Sequence, residues 1–326
     1  MQKKKRKLFE FLILITFSIT ILIVLYRRID LKEFQTVLEN SNIYLLILGF
    51  LINVLLGIVS GFKYSYFAKF LEIKPYPKLR TSIESFFIAS TFNLVLPSKL
   101  ADFGKGIICE KLDKAKYPFK LHTYTLYEKI SDLFSLLCIT LTTLLFFKFS
   151  SKCISFSQNI KCDIFIFQNS LLNILLILIF AIFLIISPFI NFEIITKTIN
   201  SKFHKILNKI KFDYQNKHKK FFIYQLCSLI FWLLNILQLI IFGNALQMHF
   251  FSLSGILVIC ITILSGLIPI SFAGIGTREL TLTILLKPFY GEIKPLLFGI
   301  LFTSRYLVPA LLGLLFIKKL NFKKTF

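Results

Sequence analysis

Long apolar runs separated by short basic stretches make up most of the chain. The runs at 8–26, 43–62, 124–147, 171–190, 221–242 and 296–317 each approach the roughly 20 apolar residues that a helix needs to cross a bilayer. No segment alternates apolar and polar positions in the manner of a membrane strand. The pattern predicts an all-α polytopic membrane protein with about six transmembrane helices.

Two further apolar regions do not read as plain spans. In 83–108, an apolar stretch too short to cross ends at Pro97, and Lys99, Asp102 and Lys105 follow directly. In 253–286, Pro269 removes a backbone donor, and Gly274 and Gly276 admit dihedrals that other residues avoid. Arg278 and Glu279 then place opposite charges just after the break. Backbone groups freed inside hydrocarbon must find partners in protein or in a water-lined cavity. Both regions are therefore expected to be re-entrant hairpins broken at proline.

The loops set the orientation. Lysines and arginines crowd the N-terminus, the segment after Phe62, the amphipathic stretch 191–220 and the C-terminal end, while 243–254 carries none. Basic loops stay in the cytoplasm. Both termini and 191–220 are thus expected inside, and 148–169 and 243–254 outside. The first hairpin then enters from the cytoplasmic face and the second from the external face, the arrangement of inverted repeats around a midplane site. No linker interrupts the pattern, so residues 1–326 read as one domain in the cytoplasmic membrane.

The charges inside these apolar regions are the candidate chemistry. Lys99, Asp102 and Lys105 recur at a spacing that puts them on one helix face, where they can pair. With a half-helix start behind Pro97, the group can accept a phosphate. Glu128 and Asp132 are one helical turn apart and repel, so they need a cation from Lys129, from another helix or from a substrate; a structural ion pair to Lys99, Lys105 or Arg278 is the alternative to a substrate role. Arg305 lies within the last run and is expected to face the bundle interior, toward Glu279, Glu128, Asp132 or a lipid phosphate.

Composition narrows the class. Hydrophobic residues make up 56% of the 326, against 45–50% in a typical soluble domain. The formal charge of +23 would suggest nucleic acid in a soluble protein, but here the excess sits in loops beside spans, and no nucleic-acid module is present. Cys109, Cys138, Cys227 and Cys260 fall in or beside apolar runs. Cys153 and Cys162 share the external loop, where a disulfide is open to them in an oxidising space. No cysteine or histidine spacing suggests zinc, no cofactor motif occurs, and no nucleophile–base constellation supports an enzyme.

These motifs resemble a known family, the membrane region of the lysylphosphatidylglycerol synthases (the multiple peptide resistance factors) and their stand-alone flippase-like relatives. Lys63-Tyr64 is similar to its Arg-Trp. Asn93-x-x-x-Pro97-Ser-Lys99-x-Ala-Asp102-x-x-Lys105 resembles an Asn-x-x-x-Pro-Gly-Arg-x-Gly-Glu-x-x-Arg pattern. Glu128-Lys-x-x-Asp132 looks like Glu-Arg-x-x-Asp. Pro269-x-x-x-x-Gly274-x-Gly276-x-x-Glu279 fits the second hairpin, and Arg305-x-x-x-Pro309-x-x-x-Gly313 fits the last span. Lysine stands where the family favours arginine at 63, 99, 105 and 129, and lysine cannot make the bidentate fork.

The resemblance implies a translocating membrane unit with two re-entrant hairpins, and the soluble aminoacyl-transferase domain of the full-length proteins is expected to be missing. The expected activity is movement or handling of a lipid with a polar headgroup. That lipid is an anionic or aminoacylated phospholipid or a lipid-linked sugar. Asn93, Lys99, Asp102, Lys105, Glu128, Asp132, Arg278, Glu279 and Arg305 form the expected substrate site. A membrane-embedded lipid-modifying transferase, or its membrane subunit, is the alternative. A lipid-synthesis enzyme or a second copy of the chain is the partner this class allows.

Overall fold

The computed structural model describes residues 31–70, 74–94, 96–149, 218–267 and 274–320, with six further positions between Thr16 and Arg27. Among these residues every regular element is helical. In chain order they are α1 (Leu31–Glu39), α2 (Ile43–Phe70), α3 (Leu79–Asn93), a 3-10 segment (Pro97–Gly104), α4 (Lys105–Asp113), α5 (Phe119–Phe149), α6 (His218–Ala245), α7 (Leu253–Ser265), α8 (Thr277–Tyr290), α9 (Ile293–Ser304) and α10 (Leu307–Ile317).

Four helical stretches are long and apolar enough to cross a membrane: Ile43–Lys69, Glu128–Phe146, Phe222–Ala245 and Ile293–Ile317. They coincide with four of the expected spans. Most of the expected span 8–26, the span 171–190, the loop residues 150–169 and the basic stretch up to 217 lie outside the described residues. So do Pro269, Cys153 and Cys162.

Two helical hairpins stand beside these spans. α3 has 15 residues and α4 has 9. At about 1.5 Å per residue, neither reaches the roughly 30 Å of a hydrocarbon core. Pro97 opens the 3-10 segment between them, where a missing N–H is tolerated. In the second hairpin α7 has 13 residues and α8 has 14. Gly274 and Gly276 both take positive φ, 75° and 93°, on the way into α8, so a side chain at either position would be strained.

Helices in lipid associate through close packing and hydrogen bonds, because apolar burial gives little drive there. Small residues supply the close approaches. A Cβ on Gly61 of α2 would lie 2.7 Å from the Ile83 nitrogen of α3. A Cβ on Gly313 of α10 would lie 2.1 Å from the Phe87 carbonyl oxygen of α3, and Thr91 Oγ1 donates to the Ala310 carbonyl at 2.7 Å. The last helix is thus locked against the first hairpin. In the second half, Leu136, Leu239, Phe242, Phe250, Ile259, Leu282, Phe298 and Phe302 fill a core between α5, α6, α7, α8 and α9.

Two expectations about boundaries change. Lys63 does not open a cytoplasmic loop, because α2 runs on to Phe70 and buries the lysine inside the helix bundle. The last span is not one continuous helix. α9 and α10 are separated at Arg305 and Tyr306, and Pro309 has no N–H to offer the Arg305 carbonyl.

Candidate functional site

The first cluster gathers around α5. Glu128 and Asp132 project from this helix into the bundle at 1% and 6% exposure. Each such charge costs about 2.5–3.5 kcal/mol at a membrane helix centre unless it is paired. Lys63 from α2 donates to Asp132 Oδ1, and its Nζ lies 3.7 Å from Glu128 Oε1 and 3.2 Å from Ser228 Oγ of α6. Lys105, at the start of α4, donates to the same Glu128 oxygen at 3.0 Å and to Ser60 Oγ at 3.2 Å. Ser228 also donates to Asp132 Oδ1 at 3.0 Å.

Aromatic rings surround the two lysines. Lys63 Nζ lies 5.6 Å from the Tyr224 ring centre and 5.4 Å from that of Phe231, and Lys105 Nζ lies 5.6 Å from that of Phe86. Such faces attract cations. Glu128 Oε2 is buried and has no hydrogen-bond partner among the described residues.

The 3-10 segment carries the remaining carboxylate of this cluster. Asp102 Oδ1 accepts from Asn93 Nδ2 at 2.8 Å, and Oδ2 lies 2.5 Å from Lys129 Nζ. Asn93 Oδ1 in turn accepts the Ala101 amide at 3.0 Å, so its side-chain amide ties the end of α3 to the 3-10 segment. The same-face pairing expected among Lys99, Asp102 and Lys105 does not form between the latter two. The backbone passes from 3-10 to α geometry at Gly104, which turns Asp102 toward Lys129 and Lys105 toward Glu128. Just beyond α4 Tyr117 donates to Asp113, and burial together with that bond pushes the Tyr117 hydroxyl pKa above its ordinary value.

The second cluster is built differently. Glu279, in the first turn of α8, uses Oε2 to accept the Gly276 amide at 2.6 Å and Oε1 to accept from Thr303 Oγ1 at 2.7 Å. It caps its own helix and ties it to α9. Arg278 and Arg305 are each 3% exposed. Both guanidiniums lie over the same two rings: Arg278 at 5.6 Å from Phe302 and 5.4 Å from Tyr306, Arg305 at 4.7 and 4.9 Å. Arg305 donates to Asn235 Oδ1 at 3.2 Å and to Tyr306 Oη at 2.9 Å, and its Nε is buried without a partner among the described residues. No described carboxylate pairs with either arginine.

Glycines make the room for these groups. A Cβ on Gly266 would lie 2.2 Å from Arg278 Nε, and one on Gly274 would lie 2.8 Å from Arg278 Nη2. A Cβ on Gly299 would lie 2.8 Å from Glu279 Cγ. Helix α6 joins the two clusters. Ser228 serves the first and Asn235, seven residues on, serves the second. Two helical turns at about 1.5 Å per residue put them roughly 10 Å apart on one face.

The family model of the lysylphosphatidylglycerol synthase TM region matches residues 11–313. The chain belongs to this family. No curated protein and no solved structure matches the chain. In this member of the lysylphosphatidylglycerol synthase TM family, Asn93, Asp102, Lys105, Glu128 and Asp132 fall in the first cluster, and Arg278, Glu279 and Arg305 in the second. Lys99 lies in the 3-10 segment between Pro97 and Asp102.

The pattern of apolar and polar positions missed the supporting residues Ser60, Lys63, Ser228, Asn235 and Thr303. Their signal was present but weak: a lysine within two turns of a span, and polar residues at 225, 228, 235 and 238 recurring on one face of an apolar helix.

Proposed function

We propose that the chain carries the polar headgroup of a phosphate-bearing lipid between leaflets while the acyl chains stay in the bilayer. One observation carries the reading: Arg278 and Arg305 lie buried over the same pair of rings, with no described carboxylate bonded to either. Two buried like charges repel, and an anion between them removes that cost. The planar guanidinium fork suits phosphate oxygens. Membership of the lysylphosphatidylglycerol synthase TM family supports a membrane phospholipid as the source of that phosphate.

The hairpins give the reading its path. Each pair of short helices enters and leaves by one face, the first from the cytoplasmic side and the second from the external side. Helix α6 runs past both charged clusters. The lysine–carboxylate network at the first hairpin acts as a wall of the path, and the arginine pair acts as the phosphate station.

The test is leaflet-resolved transport of a labelled phospholipid in vesicles, normalised to inserted protein. The parent should exceed protein-free vesicles, and Arg278→Gln with Arg305→Gln should lower the rate at least tenfold. A parent no faster than empty vesicles would end the transport reading. Loss of one lipid species altogether from cells lacking the chain, rather than its confinement to one leaflet, would point to the transferase alternative.

A further inference from the structure

We infer that Tyr306 stands where a lipid phosphate binds, so that an arriving headgroup displaces its hydroxyl and a departing one lets it return. This rests on reading the arginine pair as the phosphate site, and it names the residue that sets how firmly that site holds.

A guanidinium grips phosphate through two N–H groups that point the same way. Arginine offers two such grips, Nε with Nη2 and Nη1 with Nη2. On Arg305, Nη1 donates to Asn235 Oδ1 at 3.2 Å and Nη2 donates to Tyr306 Oη at 2.9 Å. Nε is buried and has no partner among the described residues. The grip that keeps the tie to Asn235 is therefore Nε with Nη2, and there the Tyr306 hydroxyl is the competing acceptor.

The second arginine leads to the same residue. A phosphate held by both guanidiniums must occupy space that both can reach. In the structure both reach the Phe302 and Tyr306 rings, Arg278 at 5.6 and 5.4 Å and Arg305 at 4.7 and 4.9 Å. Phe302 is fully buried and packs edge-on against Phe298. Tyr306 is half-buried, and the next residue, Leu307, is 50% exposed. Tyr306 also lies in the break between α9 and α10, where Pro309 has no N–H for the Arg305 carbonyl. Of the two rings, Tyr306 is the one placed to move aside. Its face and its hydroxyl stabilise the two cations while the site is empty. A phosphate is charged, makes the stronger hydrogen bond and takes their place. Because the hydroxyl competes for the same prong, the lipid is held less tightly than an unoccupied fork would hold it.

The experiment compares phosphatidic acid with diacylglycerol, which differ only in the phosphate. Binding of each to the purified chain, and leaflet-resolved transport of labelled phosphatidic acid, are measured for the parent, Tyr306→Phe, Arg305→Lys and the two together. Tyr306→Phe keeps the ring and removes the acceptor. It should bind phosphatidic acid at least threefold tighter and leave diacylglycerol unchanged. In transport its KM and its saturating rate should both fall, since release slows; a merely structural role would lower the rate without tightening the binding. Lysine carries the charge without the fork, so in the Arg305→Lys background Tyr306→Phe should make no difference. Should Tyr306→Phe not fold, Tyr306→Trp also keeps a ring without a hydroxyl and carries the same expectation.

Equal or weaker binding of phosphatidic acid by the folded variant overturns the inference. So does an equal tightening for both lipids, or a tightening that persists with Arg305→Lys. Arg278→Gln with Arg305→Gln judges the site itself. If that double variant loses phosphatidic acid while Tyr306→Phe changes nothing, the phosphate site stands and the inference falls. If the double variant binds phosphatidic acid as the parent does, the site falls and takes the inference with it.

Discussion

Arg305 Nη1 donates to Asn235 Oδ1 at 3.2 Å, across a separation of 70 residues. The bond ties the break between α9 and α10 to α6, the helix that also carries Ser228 to Asp132 and Lys63. The two charged clusters therefore share one rigid strut. A movement of α6 along its axis would disturb both at once.

The first prediction concerns Lys63. Removing its charge by Lys63→Met leaves Asp132 buried with Ser228 as its donor, and Glu128 with Lys105 alone. Breaking a buried pair in this way costs about 3–5 kcal/mol. Adding Asp132→Asn restores the balance, with Lys105 facing Glu128. The double variant should unfold at a higher temperature in detergent than Lys63→Met alone. Additive losses would show that the two residues do not act as a pair.

Small residues give a second test. Alanine at Gly266 would put a methyl group 2.2 Å from Arg278 Nε, whereas nothing lies within 4 Å of a Cβ on Gly104. Gly266→Ala should displace the Arg278 guanidinium and lower lipid transport severalfold with little change in the amount of inserted protein. Gly104→Ala, at negative φ, should be close to neutral. Equal transport by the two variants would show that the slot around Arg278 has no part in the activity.

The contact between α3 and α10 makes a third. Leucine at Gly313 must displace the Phe87 carbonyl, which as backbone gives little. Overpacking of this kind costs about 1–3 kcal/mol or more. Leu315→Ala, on a residue 66% exposed on the same helix, should change stability by only about 0.5 kcal/mol. Thermal unfolding of both variants in one detergent checks the difference.

Much of this was legible in the chain. Apolar runs mark spans because a helix in lipid must be apolar for its full length, and 43–62, 221–242 and 296–317 were found that way. Pro97, Gly274 and Gly276 mark breaks because each alters the backbone directly. The sequence leaves Lys99, Lys105 and Arg278 open as partners of Glu128 and Asp132 and does not choose among them. Asp132 takes Lys63, 69 residues away, in place of the adjacent Lys129, and that choice follows from how α2, α5 and α6 pack. Gly266 and Gly299 gave no signal either, since a glycine that makes room for a distant side chain looks like any other. Lys63 was assigned to a loop because a lysine usually ends an apolar span, and here the span continues around it.

Topology gives a fourth prediction. The basic loops lead to the expectation that 191–220 lies inside and 148–169 outside. In a cysteine-free background, Ser157→Cys should react with an impermeant thiol reagent in intact cells and Asn208→Cys should not. The reverse labelling would invert both hairpins and put the arginine pair's entrance on the cytoplasmic side.

The last prediction separates the carboxylates of the two hairpins from ordinary interface charges. Glu279 accepts a backbone amide and a hydroxyl, so Glu279→Gln changes more than charge. Either the new NH2 faces the Gly276 N–H, donor against donor, or it turns toward Thr303, which must then reverse its own bond. The first turn of α8 loses a charged cap worth about 0.5–2 kcal/mol, and Arg278 loses the carboxylate next to it in the sequence. Asp102→Asn weakens the link to Lys129 and leaves that lysine half-buried without its carboxylate. Both variants should insert, and both should lose lipid transport well beyond any loss of protein. Glu10→Gln, at the start of the first apolar run, should transport as the parent does. If the two hairpin variants match Glu10→Gln after normalisation to inserted protein, the buried carboxylates serve only to hold the helices. The path between the hairpins would then have to be sought elsewhere in the bundle.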